Sequence, residues 1–205
     1  MCRLLPLLAL LCLAGLAAAG DGEKMPLLFQ DDFEKGASRW EPLDPKGWKV
    51  IDLKGNKVFS QFEKKSDYKP PHRSPLHIAL VKELIVGDFI LEARCQSTVK
   101  DYGHRDLCVY FGYQSAGKFY YAHLGKKTDN HANQIFIVNG ADRKKISTKT
   151  TEGTNWTDGW HTIKVVRRVA DGTIEVYFDD LKTPAMTAKD KTFTWGRVGV
   201  GSFDD

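Results

Sequence analysis

The chain is predicted to fold as an all-β protein, a two-sheet antiparallel sandwich of jelly-roll type. Three observations predict it. Alternation of apolar and polar residues with a period of two recurs about a dozen times beyond residue 20. Glycine-bearing turn signals separate the alternating runs. The composition is 42% hydrophobic, 27% charged and 11% aromatic, which excludes disorder, collagen and coiled coil as the main architecture. At 205 residues the chain amounts to one domain. A chain of this length buries roughly two thirds of its unfolded surface and needs no staple.

The elements follow in order. Residues 1–19 read as a secretory signal peptide: Arg3, an apolar run from Leu4 to Leu16, then Ala17-Ala18-Ala19 as the cleavage site. Leu11 stands before Cys12 where a lipobox needs a small residue, which argues against lipidation. Residues 20–205 form the mature domain. Its first predicted strand is Leu27–Phe33. Trp48–Leu53 and Lys57–Phe62 flank the turn Lys54-Gly55-Asn56. Pro70-Pro71 and Pro75 mark an irregular excursion over one mouth of the sandwich. His77–Leu84 leads through Val86-Gly87 into Asp88–Ser97. Asp106–Tyr113 and Lys118–Leu124 flank Ser115-Ala116-Gly117, and Asn133–Val138 runs through Asn139-Gly140 to Lys144–Thr148. Trp160–Arg167 joins Thr173–Phe178 through Asp171-Gly172, and Arg197–Phe203 comes last.

Two of these strands expose their faces in the sequence. In Asp88–Ser97, Phe89, Leu91, Ala93 and Cys95 oppose Ile90, Glu92, Arg94 and Gln96. In Thr173–Phe178, Ile174, Val176 and Phe178 oppose Glu175 and Tyr177. Each sheet is therefore expected to have one core face and one wet face.

The net charge of +4, or +3 once Arg3 leaves with the leader, is too small and too evenly spread for nucleic acid. Beyond the leader no stretch approaches about 18 apolar residues, so no stable membrane insertion is expected after cleavage. The expected product is a secreted or periplasmic monomer. Cys95 and Cys108 remain after the leader takes Cys2 and Cys12. If their two strands pair as a hairpin, the sulfurs face each other, and an exported chain permits the bond; a structural disulfide is expected.

Several segments carry a family resemblance. Phe29-Gln30-Asp31-Asp32-Phe33, Trp40 and Trp48-Lys49-Val50 resemble the opening of concanavalin A-like, laminin-G-like domains. Gly87-Asp88-Phe89-Ile90-Leu91-Glu92, Trp160-His161-Thr162-Ile163-Lys164-Val165 with Ile174-Glu175-Val176-Tyr177-Phe178-Asp179, and Arg197–Phe203 resemble later strands of the same superfamily. The set is also similar to the secreted 3-keto-disaccharide hydrolase group. The resemblance implies a jelly roll and a carbohydrate ligand, but the superfold hosts lectins, glycosidases, lyases and adhesion modules. It also implies one more strand after Phe203-Asp204-Asp205, so either the sequence is a fragment or the sandwich lacks its last strand. The Glu-x-Asp-x-x-Glu signature of retaining endoglucanases on this fold is absent. No cofactor is required. Asp31-Asp32 and Asp204-Asp205 resemble the structural calcium site of related jelly rolls, with Asp32 and Asp204 as ligands.

The richest stretch for function is Tyr102–Gln134, which holds three of the six histidines. Aromatic rings and planar polar groups suit the CH faces and hydroxyls of sugars. A carbohydrate cleft is expected here, with Arg105, Tyr110, Tyr121, His131 and Asn133 in contact with the ligand. An enzymatic alternative makes His104, Asp106 and His123 catalytic, removing a proton next to the carbonyl of a 3-keto or uronic sugar. His104, His123 and His131 with Asp106 also suit zinc, although no short His-x-His spacing enforces it. The bland alternative is a solvated sheet face. A third class is an adhesion module with a protein partner.

Overall fold

A computed structural model describes residues 25–205. The expected leader, with Cys2 and Cys12, lies outside the described residues. Fourteen strands are seen among them: β1 (Trp40–Pro42), β2 (Trp48–Leu53), β3 (Asn56–Gln61), β4 (His77–Val81), β5 (Phe89–Cys95), β6 (Asp106–Ser115), β7 (Lys118–Gly125), β8 (Gln134–Asn139), β9 (Lys144–Lys145), β10 (Ser147–Thr150), β11 (His161–Arg168), β12 (Thr173–Phe178), β13 (Met186–Lys189) and β14 (Arg197–Ser202). A seven-stranded antiparallel sheet runs β1-β4-β14-β6-β7-β8-β9, a five-stranded sheet runs β10-β13-β12-β11-β5, and β2 and β3 form a hairpin of their own. This is the expected β-sandwich.

Alternation builds the core. Val109 and Phe111 of β6, Tyr120, Ala122 and Leu124 of β7, and Ile135 and Ile137 of β8 face Ile163 and Val165 of β11 and Ile174 and Val176 of β12. Each such side chain contributes about 1.5–3 kcal/mol on burial. Trp156 plugs one end, its indole N–H donating to the Leu124 carbonyl at 2.7 Å. Gly201 lets β14 lie tight against β4, since a Cβ there would sit 1.9 Å from the His77 carbonyl oxygen.

The five-stranded sheet keeps its wet face: Ile90, Glu92 and Arg94 are exposed. The seven-stranded sheet does not. Its outer side carries a second apolar layer, among it Ile78, Leu80, Tyr110, Phe119, Tyr121 and Phe136, with Leu43, Tyr68 and Phe203 packed on it. Residues 62–76 cross this layer as a strap. One end is tied where the His77 ring meets the Lys64 carbonyl. The other end is tied where the Arg73 amide donates to Asp142 at 2.9 Å and the Arg143 amide to the Arg73 carbonyl at 3.1 Å. The proline-rich excursion is this strap.

Two expectations of local structure fail. Leu27–Phe33 is not a strand. Phe29 packs edge-on against Trp40 at 5.6 Å, and Asp31 accepts from the Trp40 indole at 3.1 Å and from the Phe33 amide at 2.9 Å. The bonds that a strand would use go into a turn instead. The Cys95–Cys108 disulfide is absent, and both cysteines are free. β5 and β6 are consecutive but belong to different sheets. Cys95 packs on the inter-sheet core, whereas Cys108 lies in the outer layer of the large sheet, so a whole sheet separates the sulfurs.

Candidate functional site

The site sits on the outer side of the seven-stranded sheet, at the end of the strap. Strand parity puts Asp106, Cys108 and Tyr110 of β6 on one face. On β7, Tyr121 and His123 share that face, with Cys108 opposite His123 and Tyr110 opposite Tyr121 in the register. His123 Nε2 meets Asp106 Oδ2 at 2.7 Å, and both side chains are buried. Asp106 Oδ1 accepts the Phe203 amide at 3.2 Å, and the Asp106 amide donates to Asp205 at 3.1 Å. The Phe203 ring lies parallel to His123, 12° off plane at 5.7 Å. His123 Nδ1 is buried and has no hydrogen-bond partner. Burial pushes the Cys108 thiol well above its ordinary range, with the Asp106 charge adding to the shift.

Above this floor, Arg143 donates to the Tyr121 hydroxyl at 2.9 Å and the His131 carbonyl at 3.2 Å. Its guanidinium lies 4.1 Å from the Phe203 ring centroid and 4.7 Å from that of Phe136. At the rim, His104 Nε2 meets Asp129 at 2.7 Å. Burial works to raise the Asp129 carboxyl, yet the His131 and Ala132 amides and the His104 ring hold it below its ordinary value. Asp106, His123, His104, His131, Arg143, Arg73, Phe203 and Asp204 together line a cavity of ≈ 140 Å³. A wider cleft of ≈ 360 Å³ shares Arg73, Phe203 and Asp204 and continues under the strap past Pro70, Pro71 and His72. Neither Arg73 nor Asp204 forms an ion pair among the described residues.

The expected residues divide cleanly. His104, Asp106, His123 and His131 converge on one cavity. Tyr121 lies beneath it and holds Arg143. Arg105, Tyr110 and Asn133 do not reach it: Arg105 and Tyr110 spend their polar atoms inside the fold, and Asn133 is held there through its side-chain nitrogen, its Oδ1 buried without a partner. The buried Arg105 guanidinium clasps the Ser97 carbonyl at 2.5 Å, the Thr157 carbonyl at 2.9 Å and Asp158 at 3.0 Å. The Tyr110 hydroxyl lies between the His77 and Ser202 carbonyls at 2.9 and 3.1 Å. Asn133, at φ 52°, donates to Thr128 at 2.6 Å and to the Thr151 carbonyl at 3.1 Å.

The calcium pair is not assembled either. Asp32 caps the Glu34 amide, beside Asp31 and its Trp40 partner, and Trp40 pairs with Val81 at the far end of β4. Asp204 follows Phe203, whose carbonyl meets Leu76, just before the near end of β4. Asp204 lines the cavity instead. Arg73 and Arg143 were missed. The signal that marked them was indirect: one lies in the proline-rich excursion, the other just past the Asn139-Gly140 turn.

A third histidine–aspartate pair lies at the far end of the five-stranded sheet. His161 Nδ1 donates to Asp179 at 2.8 Å, while its Nε2 accepts the Thr157 amide at 3.0 Å. The ring stacks on Phe178 at 4.8 Å and meets Trp156 edge-on at 5.1 Å. Asp179 also accepts the Thr162 amide at 2.9 Å.

No family model and no curated protein matches the chain. Among solved structures the chain is similar to the carbohydrate-binding module CBM66 from Bacillus subtilis. That likeness has a TM-score of 0.55 at 16% identity and covers 81% of this chain and 88% of that one. It shows a shared β-sandwich fold.

Proposed function

We propose that this chain is an exported carbohydrate-binding domain, and that the glycan lies in the cleft between the strap and the outer side of the large sheet. The observation that carries the reading is the pair of unpaired, opposite charges, Arg73 and Asp204, on the walls of one open cleft. A guanidinium and a carboxylate together donate to and accept from vicinal hydroxyls without requiring a charged ligand. Pro70, Pro71 and the Phe203 edge supply apolar surface for CH groups. The fold shared with a carbohydrate-binding module supports the same reading. A glycan array, followed by calorimetry on the best ligand, tests it. Arg73→Ala is expected to weaken binding about tenfold, roughly 1.4 kcal/mol, with the unfolding midpoint unchanged. A folded protein that binds no glycan, or an Arg73→Ala variant that binds as well as the parent, overturns it.

A second reading has its own observation. One cavity is lined by the His123–Asp106 pair on its floor and, at its rim, by His104, whose ring meets Asp129. An imidazole oriented by a carboxylate suits removal of a proton next to a sugar carbonyl, as in a 3-keto-glycoside hydrolase or a lyase. Mass spectrometry on the bound glycans separates the two. Product release that His104→Ala abolishes without loss of affinity makes the domain an enzyme, and intact glycans make it a lectin.

A further inference from the structure

We propose that Asp106, Cys108 and His123 form a binding site for a thiolate-accepting divalent ion, with zinc as the type. Among the described residues these three form the one group whose donor atoms all lie within 4.8 Å of one another. Their placement is a property of the sheet: Asp106 and Cys108 stand two apart on β6, and His123 is the register partner of Cys108 on β7. All three are buried on central strands, so little conformational entropy remains to be lost when a ligand draws them together.

His123 is only 3% exposed and its Nδ1 has no partner, so that nitrogen is free to carry the ring proton when an ion takes Nε2. The surroundings also fit. The Phe203 amide holds Asp106 Oδ1 and the Phe203 ring holds the imidazole plane, which is how partners behind a metal site orient its ligands.

The donor set selects the ion. One thiolate, one imidazole and one carboxylate suit zinc or cobalt, whereas calcium and magnesium want several oxygens. Ligand distances of about 2.0–2.3 Å place donors about 3.5 Å apart. The 2.7 Å contact between His123 and Asp106 must therefore widen by somewhat less than about 1 Å. The ion displaces the proton on His123 Nε2, which passes to Nδ1 so that the ring stays neutral, and the Cys108 thiol proton leaves to solvent. Three protein ligands would leave a fourth position, and two of them, Asp106 and His123, line the cavity that also holds His104 and His131. The site neither requires nor excludes the glycan, so it stands apart from the carbohydrate reading.

Cobalt titration of the chelator-stripped protein tests this directly. Uptake of one ion per chain is expected, with a thiolate-to-cobalt charge-transfer band that zinc abolishes. Cys108→Ser should lose the band, and Cys95→Ser should keep it. Absence of the band in the parent protein, or its survival in Cys108→Ser, overturns the proposal. Should Cys108→Ser fail to fold, X-ray absorption on the zinc-loaded parent decides: a sulfur in the first shell supports the site, and a shell of oxygen and nitrogen alone overturns it.

Discussion

The protein holds two buried histidines, each within hydrogen-bond reach of an aspartate, and the two are built to different ends. His161 uses both ring nitrogens, one donating to Asp179 and one accepting from Thr157, with Phe178 and Trp156 packed around it. Its tautomer is settled, because a backbone amide can only donate. His123 uses one nitrogen on Asp106 and leaves the other buried without a partner. Burial and a carboxylate are common to both, so neither marks a site. The difference lies in what the second nitrogen does. A closed set of partners is scaffold, and an open one is chemistry still to be supplied.

Removing His161 should do the most damage to stability. His161→Ala opens a hole between Trp156 and Phe178 and strands the Thr157 amide. A loss of about 2–4 kcal/mol is expected in denaturant unfolding, with glycan affinity of the folded fraction intact. Affinity lost in step with stability would erase the distinction between the pairs. A smaller effect on stability and a larger one on binding are expected at Arg143. Arg143→Ala frees the Tyr121 hydroxyl and uncovers Phe203, costing about 1 kcal/mol of stability and roughly tenfold or more in affinity by calorimetry.

A third buried histidine sharpens the contrast through pH. Burial holds His77 below its ordinary pKa of about 6.5, against the opposing pull of the Lys64 carbonyl and of Asp44, Asp204 and Asp106. The unfolded chain then binds a proton more readily than the folded one, so stability falls as pH drops below about 6.5. Thermal melts across that range should show the loss, and His77→Gln should flatten it. The smallest effect concerns the cysteines. The chain without residues 1–19, denatured without reductant, should titrate two thiols, and Cys95→Ser should melt within about 0.5 kcal/mol of the parent.

Much of the fold was legible, because alternation is a local signal. Trp48–Leu53 and Thr173–Phe178 emerge with their expected bounds, and most other strands shift by a residue or two. Trp40–Pro42 and Met186–Lys189 are too short to show a period. What failed was anything that needed to know which sheet a strand joins. The disulfide assumed that neighbours in sequence pair in space, and the loop from Cys95 to Asp106 carries the chain to the other sheet instead. The apolar outer layer was hidden for a similar reason. Nothing periodic in residues 62–76 announces that they cover a sheet face. Within the site, Asp106 and His123 were legible as residue types suited to proton transfer. Arg105 and Asn133 looked no different from them, because a side chain that clasps a carbonyl and one that meets a ligand have the same chemistry.

The strap carries one more consequence, for the order in which the molecule comes into being. Arg73 is anchored to Asp142, 69 positions further along, and the Asp106 amide to Asp205, 99 positions on. Contacts of such long range close late. A chain emerging from its N-terminus holds the strap ready well before either anchor exists. Until Phe203 and Asp204 arrive, the cleft lacks one of its walls. Any ligand that the cleft takes therefore requires a chain made at least to that point.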